Sequence, residues 1–326
     1  MKVSVIIITY NQENLVDRAI AGVMHQKGDF DIELLVCNDA STDDTLLHVK
    51  RWKRRFPASI RIIDHEANVG FRANYLSGFR AATGKYLAMC DADDYWTDDR
   101  KLARQVEYME AHPECAITFH RVTNVYSPLR VKTRSNGGQA VDTTIEHLSR
   151  SNYITNLSVM YRRELVPAST LPDWLAETAL PDYAYHMLYA MHGTIHFFPK
   201  SMGVYNQNAA GEWSLRGEEK RLGMALDVRE RLLDYLPADS VARPGLRDAS
   251  VDILVALLHI ADDPLRYAAL REKLSALAPE ITDDDLAARL EARRRLLAAG
   301  RRVTLKSIVR SVYRRFTRLL PAPAPC

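Results

Sequence analysis

Three times between Val3 and Ala82 a short apolar run gives way to an amphipathic stretch, and a fourth apolar run follows at Tyr86. The first, Val3-Ser-Val-Ile-Ile-Ile-Thr9, is continuous and rich in β-branched residues, the pattern of a strand buried on both faces. From about Glu13 to Gln26, residues Leu15, Ala19, Ile20 and Val23 fall at helical spacing. Ile32 to Cys37 reads as a second strand, and Thr42-Asp-Asp-Thr opens a helix carrying Leu46, Leu47 and Val49. A short strand from Ile60 to Asp64, a helix from about Phe71 to Ala82 and a strand from Tyr86 to Cys90 complete the series. Strand–helix alternation of this kind predicts an α/β fold with a mostly parallel, doubly wound central sheet and helices on both faces.

In such a sheet, ligands bind beyond the carboxyl ends of the strands. The residues there are Thr9-Tyr10-Asn11, then Asn38-Asp39, then Asn68 with Gly70, then Asp91-Ala92-Asp93-Asp94. Loops use Asn, Asp and Gly for turns, which accounts for Asn68 and Gly70 taken singly, and Asp39 fits either reading. Four coincident positions on one edge, one of them a carboxylate cluster, favour a nucleotide or sugar-phosphate site. Carboxylates this close repel one another, a cost that a hard divalent cation would relieve. A helix N-terminus explains Thr97-Asp98-Asp99. It leaves Asp91 and Asp93 unexplained, because they precede Tyr95-Trp96.

Several classes are excluded or disfavoured. Gly78 to Lys85 departs from a P-loop in spacing, Tyr86 replaces the magnesium-binding hydroxyl, and a strand follows where a helix should. Tyr10-Asn-Gln-Glu holds no glycine, so the dinucleotide fingerprint is missing. It also lacks the Gly- and Arg-rich loop of a nucleotidyltransferase. With 44 Lys and Arg against 41 Asp and Glu, the net charge of +3 gives no support for nucleic-acid binding. The N-terminus lacks the pattern of a signal peptide, and no apolar run reaches the length of a membrane span, Ile253 to Ala261 being the best candidate. Cys37, Cys90, Cys115 and Cys326 form no C-x-x-C pair and read as free thiols in a reducing cytoplasm.

Val3-Ser-Val-Ile-Ile-Ile-Thr-Tyr-Asn11, Asn38-Asp39-Ala-Ser-Thr-Asp43, Asn68-Val-Gly70 with Asn74, and Gly84-Lys-Tyr-Leu-Ala-Met-Cys-Asp-Ala-Asp-Asp94 resemble the family 2 inverting glycosyltransferases of the GT-A fold. The motifs stand in the family's order and spacing across the first third of the chain, and weaker matches extend to about two-thirds. Tyr95-Trp-Thr-Asp-Asp-Arg-Lys-Leu102, with Gln105 and His112-Pro113, is similar to members that build bacterial surface polysaccharide and lipopolysaccharide. The resemblance implies a donor site formed by Thr9, Tyr10, Asn11, Asp39, Asn68, Asn74, Asp91, Ala92 and Trp213. Within it, Tyr10 and Asp39 hold the nucleoside and Asp91 faces the ribose or donor sugar. Asp93 is the implied ligand of Mg²⁺ or Mn²⁺, which bridges the diphosphate of a nucleotide-diphosphate sugar donor.

Further on, Ala116 to Tyr126 and Ser151 to Tyr161 read as strands, and Leu180-Pro-Asp182 opens a helix. Asp182 is either a carboxylate favoured by the helix dipole or, as the resemblance implies, the general base that deprotonates the acceptor hydroxyl. Met202 to Asn208 with Gly211-Glu-Trp-Ser214 is similar to the family's closing segment. The family usually carries Arg and His there, and this chain has Asn206 and Asn208. Asn208 is thereby a weaker metal ligand, and Trp213 is either part of a loop over the donor or a core anchor. His192 and His196 are four apart, but Gly193 ends the helix between them and no Glu sits beside either; with His120 and His186 isolated, all four read as structural.

Residues 1–214 form the expected GT-A nucleotide-sugar-binding domain, 215–300 an Ala/Leu/Arg-rich helical annex, and 301–326 a basic amphipathic helix with a Pro-rich tail. The stripe Val303, Leu305, Ile308, Val309, Val312 and Phe316 is flanked by Lys306, Arg310, Arg314, Arg315 and Arg318. Such a helix lies on an anionic membrane surface or docks on protein. The first placement, over 301–320, agrees with a lipid-linked glycan acceptor and a cytoplasmic enzyme peripheral to the plasma membrane. A homo-oligomer is compatible with the sequence, and so is a protein that binds nucleotide sugar or a partner without turnover.

Overall fold

The computed structural model describes residues 1–126, 131–134, 139–207 and 217–299. Contacts divide the chain into two compact units, Met1–Asn124 with Arg134–Asn206, and Val125–Thr133 with Gln207–Cys326.

The first unit is built on β1 (Lys2–Thr9), which pairs in parallel with β2 (Asp31–Asn38) on one side and β4 (Tyr86–Met89) on the other. β2 pairs in parallel with β3 (Ile60–Asp64). The crossovers are α1 (Val16–Met24), α2 (Thr45–Arg55) and α3 (Phe71–Ala81). Val3, Val5 and Ile7 pack with Val16, Ala19, Ile20 and Val23 of α1. Ile6, on the opposite face, lies against Gly78 of α3. Burial on both faces is why this strand reads as an unbroken apolar run.

After β4 the chain makes the short β5 (Tyr95–Trp96), α4 (Lys101–Ala111), β6 (Cys115–Tyr126), β7 (Val131–Arg134), β8 (Asp142–Thr143), α5 (Ile145–Arg150), β9 (Met160–Arg162), α6 (Pro181–Ala190) and β10 (Thr194–Gln207). The sheet order is β3-β2-β1-β4-β9-β6-β10-β5. The expected parallel sheet is therefore present in its first four strands, and β4–β9, β9–β6 and β10–β5 continue it antiparallel.

Two segments differ from the sequence expectation. Of Ser151 to Tyr161, only the end is strand. A 3₁₀ turn occupies Asn156–Ser158, because side chains take the backbone groups that a ladder would use: the Ile154 N–H donates to Asn152 Oδ1 (3.2 Å), and Ser158 Oγ donates to the Thr155 carbonyl (2.6 Å). β10 escapes notice in the sequence because it contains Pro199 and Gly203, both unfavourable in strands.

The second unit contains α7 (Glu218–Tyr235), α8 (Arg243–Ile260), α9 (Pro264–Leu277) and α10 (Asp283–Ala299). Leu226, Leu254, Leu257, Leu258, Leu270 and Leu274 form its core. Pro244 lies in the first turn of α8, where its missing N–H has no intrahelical partner to lose. Asp263 caps α9, accepting from the N–H groups of Leu265 and Arg266, both at 3.2 Å. Among the described residues no helix is long and apolar enough to cross a membrane. Cys37, Cys90 and Cys115 are free and buried.

Gly84 tests the close packing at the start of β4. A Cβ there would lie 2.6 Å from the Ser4 nitrogen and 2.8 Å from the Lys2 carbonyl oxygen, both backbone atoms of β1. Gly84→Ala is expected to cost about 1–3 kcal/mol, read as a lower urea midpoint at unchanged slope. An unchanged midpoint would show that β1 and β4 can separate freely.

Candidate active site at the carboxyl edge of the sheet

The parallel strands end in register. Thr9 pairs with Asn38, and Asn38 with Asp64. Beyond them the chain turns sharply, and Asn11 (φ 50°) and Ala40 (φ 54°) adopt left-handed backbone. Asn11 Oδ1 accepts from the Thr42 N–H at 2.8 Å, and the Asn11 N–H donates to Ser41 Oγ at 3.0 Å. The loops after β1 and β2 are thus tied to each other.

Asp39, 2% exposed, uses both carboxylate oxygens on the next loop: Oδ1 accepts from the Val69 N–H (2.7 Å) and Oδ2 from the Gly70 N–H (3.0 Å). Asn68 closes the same turn, donating to the Asp39 carbonyl at 3.4 Å and accepting from the Gly70 N–H at 3.1 Å. Gly70 sits at φ 85° as it enters α3, a conformation that side chains rarely adopt. Tyr10 is exposed beside this cradle. Thr9, Asn74 and Ala92 are buried, and Thr9 Oγ1 and Asn74 Oδ1 have no hydrogen-bond partner among the described residues. Asn74 donates to the Cys37 carbonyl (3.0 Å), and the Ala92 N–H donates to the Ile8 carbonyl (3.3 Å).

The carboxylate cluster lies between β4 and β5. Asp94 is buried and accepts from the Asn206 N–H of β10 at 2.8 Å, while its Oδ2 has no hydrogen-bond partner. Burial, then the charges of Asp93 and Asp91, push its pKa well above the ordinary carboxylate range. Asp91 is half-buried, and burial followed by the Asp93 charge pushes it up to about 7. Asn156 opposes that shift by donating to both Asp91 oxygens, at 3.1 and 3.0 Å. Asp182, in the first turn of α6, adds its charge to the same site and raises Asp91 further. Burial also raises Asp182 itself, against hydrogen bonds from the Tyr183 N–H, its own N–H and Asn152.

The structure therefore brings Asp182 to the Asp91–Asp94 turn, and the Tyr10–Asp39 and Asn68–Gly70 loops to the same sheet edge. Asn152, Asn156 and Tyr75, whose hydroxyl donates to Asn156 Oδ1 at 2.8 Å, join the site unannounced by any motif. The only trace in the sequence is the polar interruption of the stretch from Ser151 to Tyr161. Asn208, Trp213 and the basic stretch 301–320 lie outside the described residues. His120 and His186 are buried and driven down to about 3, which keeps them neutral.

Among the described residues no group of three His, Cys, Asp or Glu side chains forms a metal cage. Mg²⁺ or Mn²⁺ bridging a diphosphate needs only one or two protein carboxylates, the phosphates and water supplying the rest. Mutually repelling carboxylates with an unpartnered Asp94 oxygen are a donor set that suits such a hard cation.

The profile described as glycosyl transferase family 2 matches residues 4–169. An uncharacterized Mycobacterium tuberculosis protein is 34% identical over 232 residues, 67% of this chain and 62% of its own length, so the chain spans about three-fifths of that relative. The Escherichia coli UDP-Glc:alpha-D-GlcNAc-diphosphoundecaprenol beta-1,3-glucosyltransferase WfaP is 31% identical over 124 residues, 38% of this chain and 46% of WfaP. Among solved structures, the Pyrobaculum calidifontis mannosyltransferase PcManGT in complex with GDP-Man and Mn²⁺ superposes with a TM-score of 0.59 at 19% identity, covering 97% of this chain and 86% of that one. At that identity the likeness shows the fold.

Asp39 should prove to be a structural keystone whatever it binds. Asp39→Ala leaves the Val69 amide without its acceptor and the Gly70 amide with Asn68 Oδ1 alone, an expected loss of roughly 1–3 kcal/mol. Amide hydrogen exchange at those two positions is expected to accelerate, and Asp39→Asn, which keeps one acceptor, should fall between.

Proposed function

The chain belongs to glycosyl transferase family 2, and from that premise we propose that it transfers a sugar from a nucleotide-diphosphate donor to a glycan hydroxyl, with inversion at the sugar C1. The observation that carries this reading is the convergence of Asp182 with Asp91 and Asp93 at one end of the sheet.

In this reading the Tyr10–Asp39 cradle receives the nucleoside and Asp91 faces the ribose or donor sugar. Mg²⁺ or Mn²⁺ held by Asp93 would stabilise the negative charge that accumulates on the departing diphosphate. Asp182 accepts the proton of the acceptor hydroxyl as its oxygen bonds to C1. The bond from C1 to the diphosphate breaks on the opposite face, and its electron pair leaves with the diphosphate. A raised Asp182 is better matched to this task than an ordinary aspartate, because a base works best when its pKa approaches the operating pH.

By its name, WfaP glucosylates alpha-D-GlcNAc-diphosphoundecaprenol, and PcManGT binds GDP-Man with Mn²⁺. By likeness, the acceptor proposed here is a lipid-linked glycan of bacterial surface polysaccharide synthesis. The basic stretch 301–320 would then hold the protein against the anionic inner face of the plasma membrane. A second reading, binding of nucleotide sugar without turnover, rests on Asn208 standing where the resembled family usually carries His.

Calorimetry with UDP, GDP and dTDP, with and without Mn²⁺, is expected to show Mn²⁺-dependent binding of one nucleotide that Asp93→Ala abolishes. Asp182→Asn should keep nucleotide binding and lose about 100-fold or more of the transfer rate. Transfer should fall as pH drops through the raised pKa of Asp182, since the protonated form cannot accept the hydroxyl proton. Failure of every nucleotide to bind with Mn²⁺ would sink the transferase reading. Binding without transfer in both wild type and Asp182→Asn would favour the second.

A further inference from the structure

Leu265 and Leu296, at 81% and 72% exposure, are the two most exposed large apolar side chains among the described residues. They are far apart in sequence, one in the first turn of α9 and the other in the last turn of α10. The fold nevertheless sets them at the same end of the helical unit. Two neighbouring glutamates at the start of α7 fix this: Glu219 pairs with Arg266, beside Leu265, and Glu218 pairs with Arg293 (3.5 Å), about one turn before Leu296. Leu297, 49% exposed, adjoins them. The opposite end is made differently. There Arg247 of α8 donates to the Leu277 carbonyl at 2.9 Å and to Glu280, and the connection from α7 to α8 carries Val241, 63% exposed.

Exposed apolar residues scattered singly need no explanation. Two that the fold gathers at the end from which a strongly basic stretch departs are a different matter. α10 runs to Ala299, and residues 301–326 hold six Arg and one Lys with no Asp or Glu. An occupant of this end must take up leucine side chains and tolerate those positive charges beside them. A second copy of the chain, related by a two-fold axis, would set the same charges against themselves. An anionic lipid surface offers hydrocarbon and negative headgroups together.

We propose that this end of the helical unit is a membrane-docking surface, where Leu265, Leu296 and Leu297 enter the boundary between headgroups and acyl chains of an anionic bilayer. The part played by 301–320 rests on the placement proposed above; the leucine surface rests on the described helices and adds an apolar signal to the electrostatic one. Salt screens attraction between charges and leaves apolar burial in place, so the two signals are separable.

Co-sedimentation of the full chain with vesicles tests this, using phosphatidylglycerol mixed with phosphatidylcholine in one series and phosphatidylcholine alone in the other. Wild type is expected to bind the anionic vesicles. Leu265→Ser with Leu296→Ser should bind about tenfold more weakly or worse, since each leucine withdrawn from hydrocarbon forfeits transfer free energy. The loss should persist in about 1 M salt, where the charges are screened. Leu265→Phe with Leu296→Phe should retain binding, and Val241→Ser, at the other end, should leave it unchanged. Arg310→Gln, Arg314→Gln, Arg315→Gln and Arg318→Gln together should remove the preference for anionic lipid. Thermal melting shows that each variant is folded. If the serine double variant binds like wild type, the leucine surface is overturned while attachment through 301–320 stands. An equal loss in Val241→Ser overturns it too, and so does a wild-type dimer that the serine double variant dissociates, which would give these leucines to a second copy. If wild type binds no vesicle, both the surface and the membrane placement fall, and nucleotide calorimetry still judges the transferase reading.

Discussion

The site depends first on β1, hydrogen-bonded along both edges and buried on both faces. Its pairing with β2 carries Thr9 to Asn38, and the β2–β3 register carries Asn38 to Asp64. On the other side, the N–H of Cys90 donates to the Ile6 carbonyl (3.0 Å) and that of Ala92 to the Ile8 carbonyl (3.3 Å), so the acidic turn leaves β4 at a height set by β1. A slip of one residue in any of these pairings would turn the apolar faces outward, a far larger penalty than any polar contact at the edge could recover. The apolar core, not the polar edge, therefore fixes where the carboxylates stand.

Given that position, their electrostatics follow. Asp91 and Asp94 sit where protein has displaced water; both feel Asp93, Asp94 also feels Asp91, and Asp91 feels Asp182. An isolated domain would relax such an arrangement by pairing each carboxylate with a basic side chain. Here the polar partners assigned to them are neutral: backbone N–H groups for Asp94 and Asp182, asparagine amides for Asp91 and Asp182. Neutral donors orient a carboxylate while leaving its charge uncancelled. That suits the proposed function, in which positive charge would arrive with the donor and Asp182 would serve as base.

Much of this was legible in the sequence. The buried strands announce themselves because two-sided burial leaves few polar residues in the run, Ser4 and Glu33 being bonded to each other, and the helices because α1 has a single apolar face. The edge residues follow from the topology once the strands are placed. What remained hidden was of a different kind. Asn156 and Asn152 matter through hydrogen bonds that side chains make in a segment without periodicity, and local competition of that sort has no spacing to detect. β10 stayed hidden for a related reason: its exposure changes along its length, and Pro199 argues against a strand that tertiary pairing nevertheless forms.

Helix α3 links the two ends of the site. Its entry is fixed by Asp39, whose carboxylate holds the Val69 and Gly70 amides, and one helical turn further on Tyr75 donates to Asn156, which in turn holds Asp91. Tyr75 is fully buried and stacks on Phe79 and against Tyr185, so its hydroxyl has little freedom to wander. A helix is a stiff spacer with a rise of about 1.5 Å per residue. The Asp39 cradle and the Asp91 carboxylate are thus spaced by one rigid element, with a hydrogen bond at each end in place of a flexible loop. Gly70 is the residue that lets the helix begin where Asp39 can grip it, so the separation of the two carboxylates is set by helix geometry.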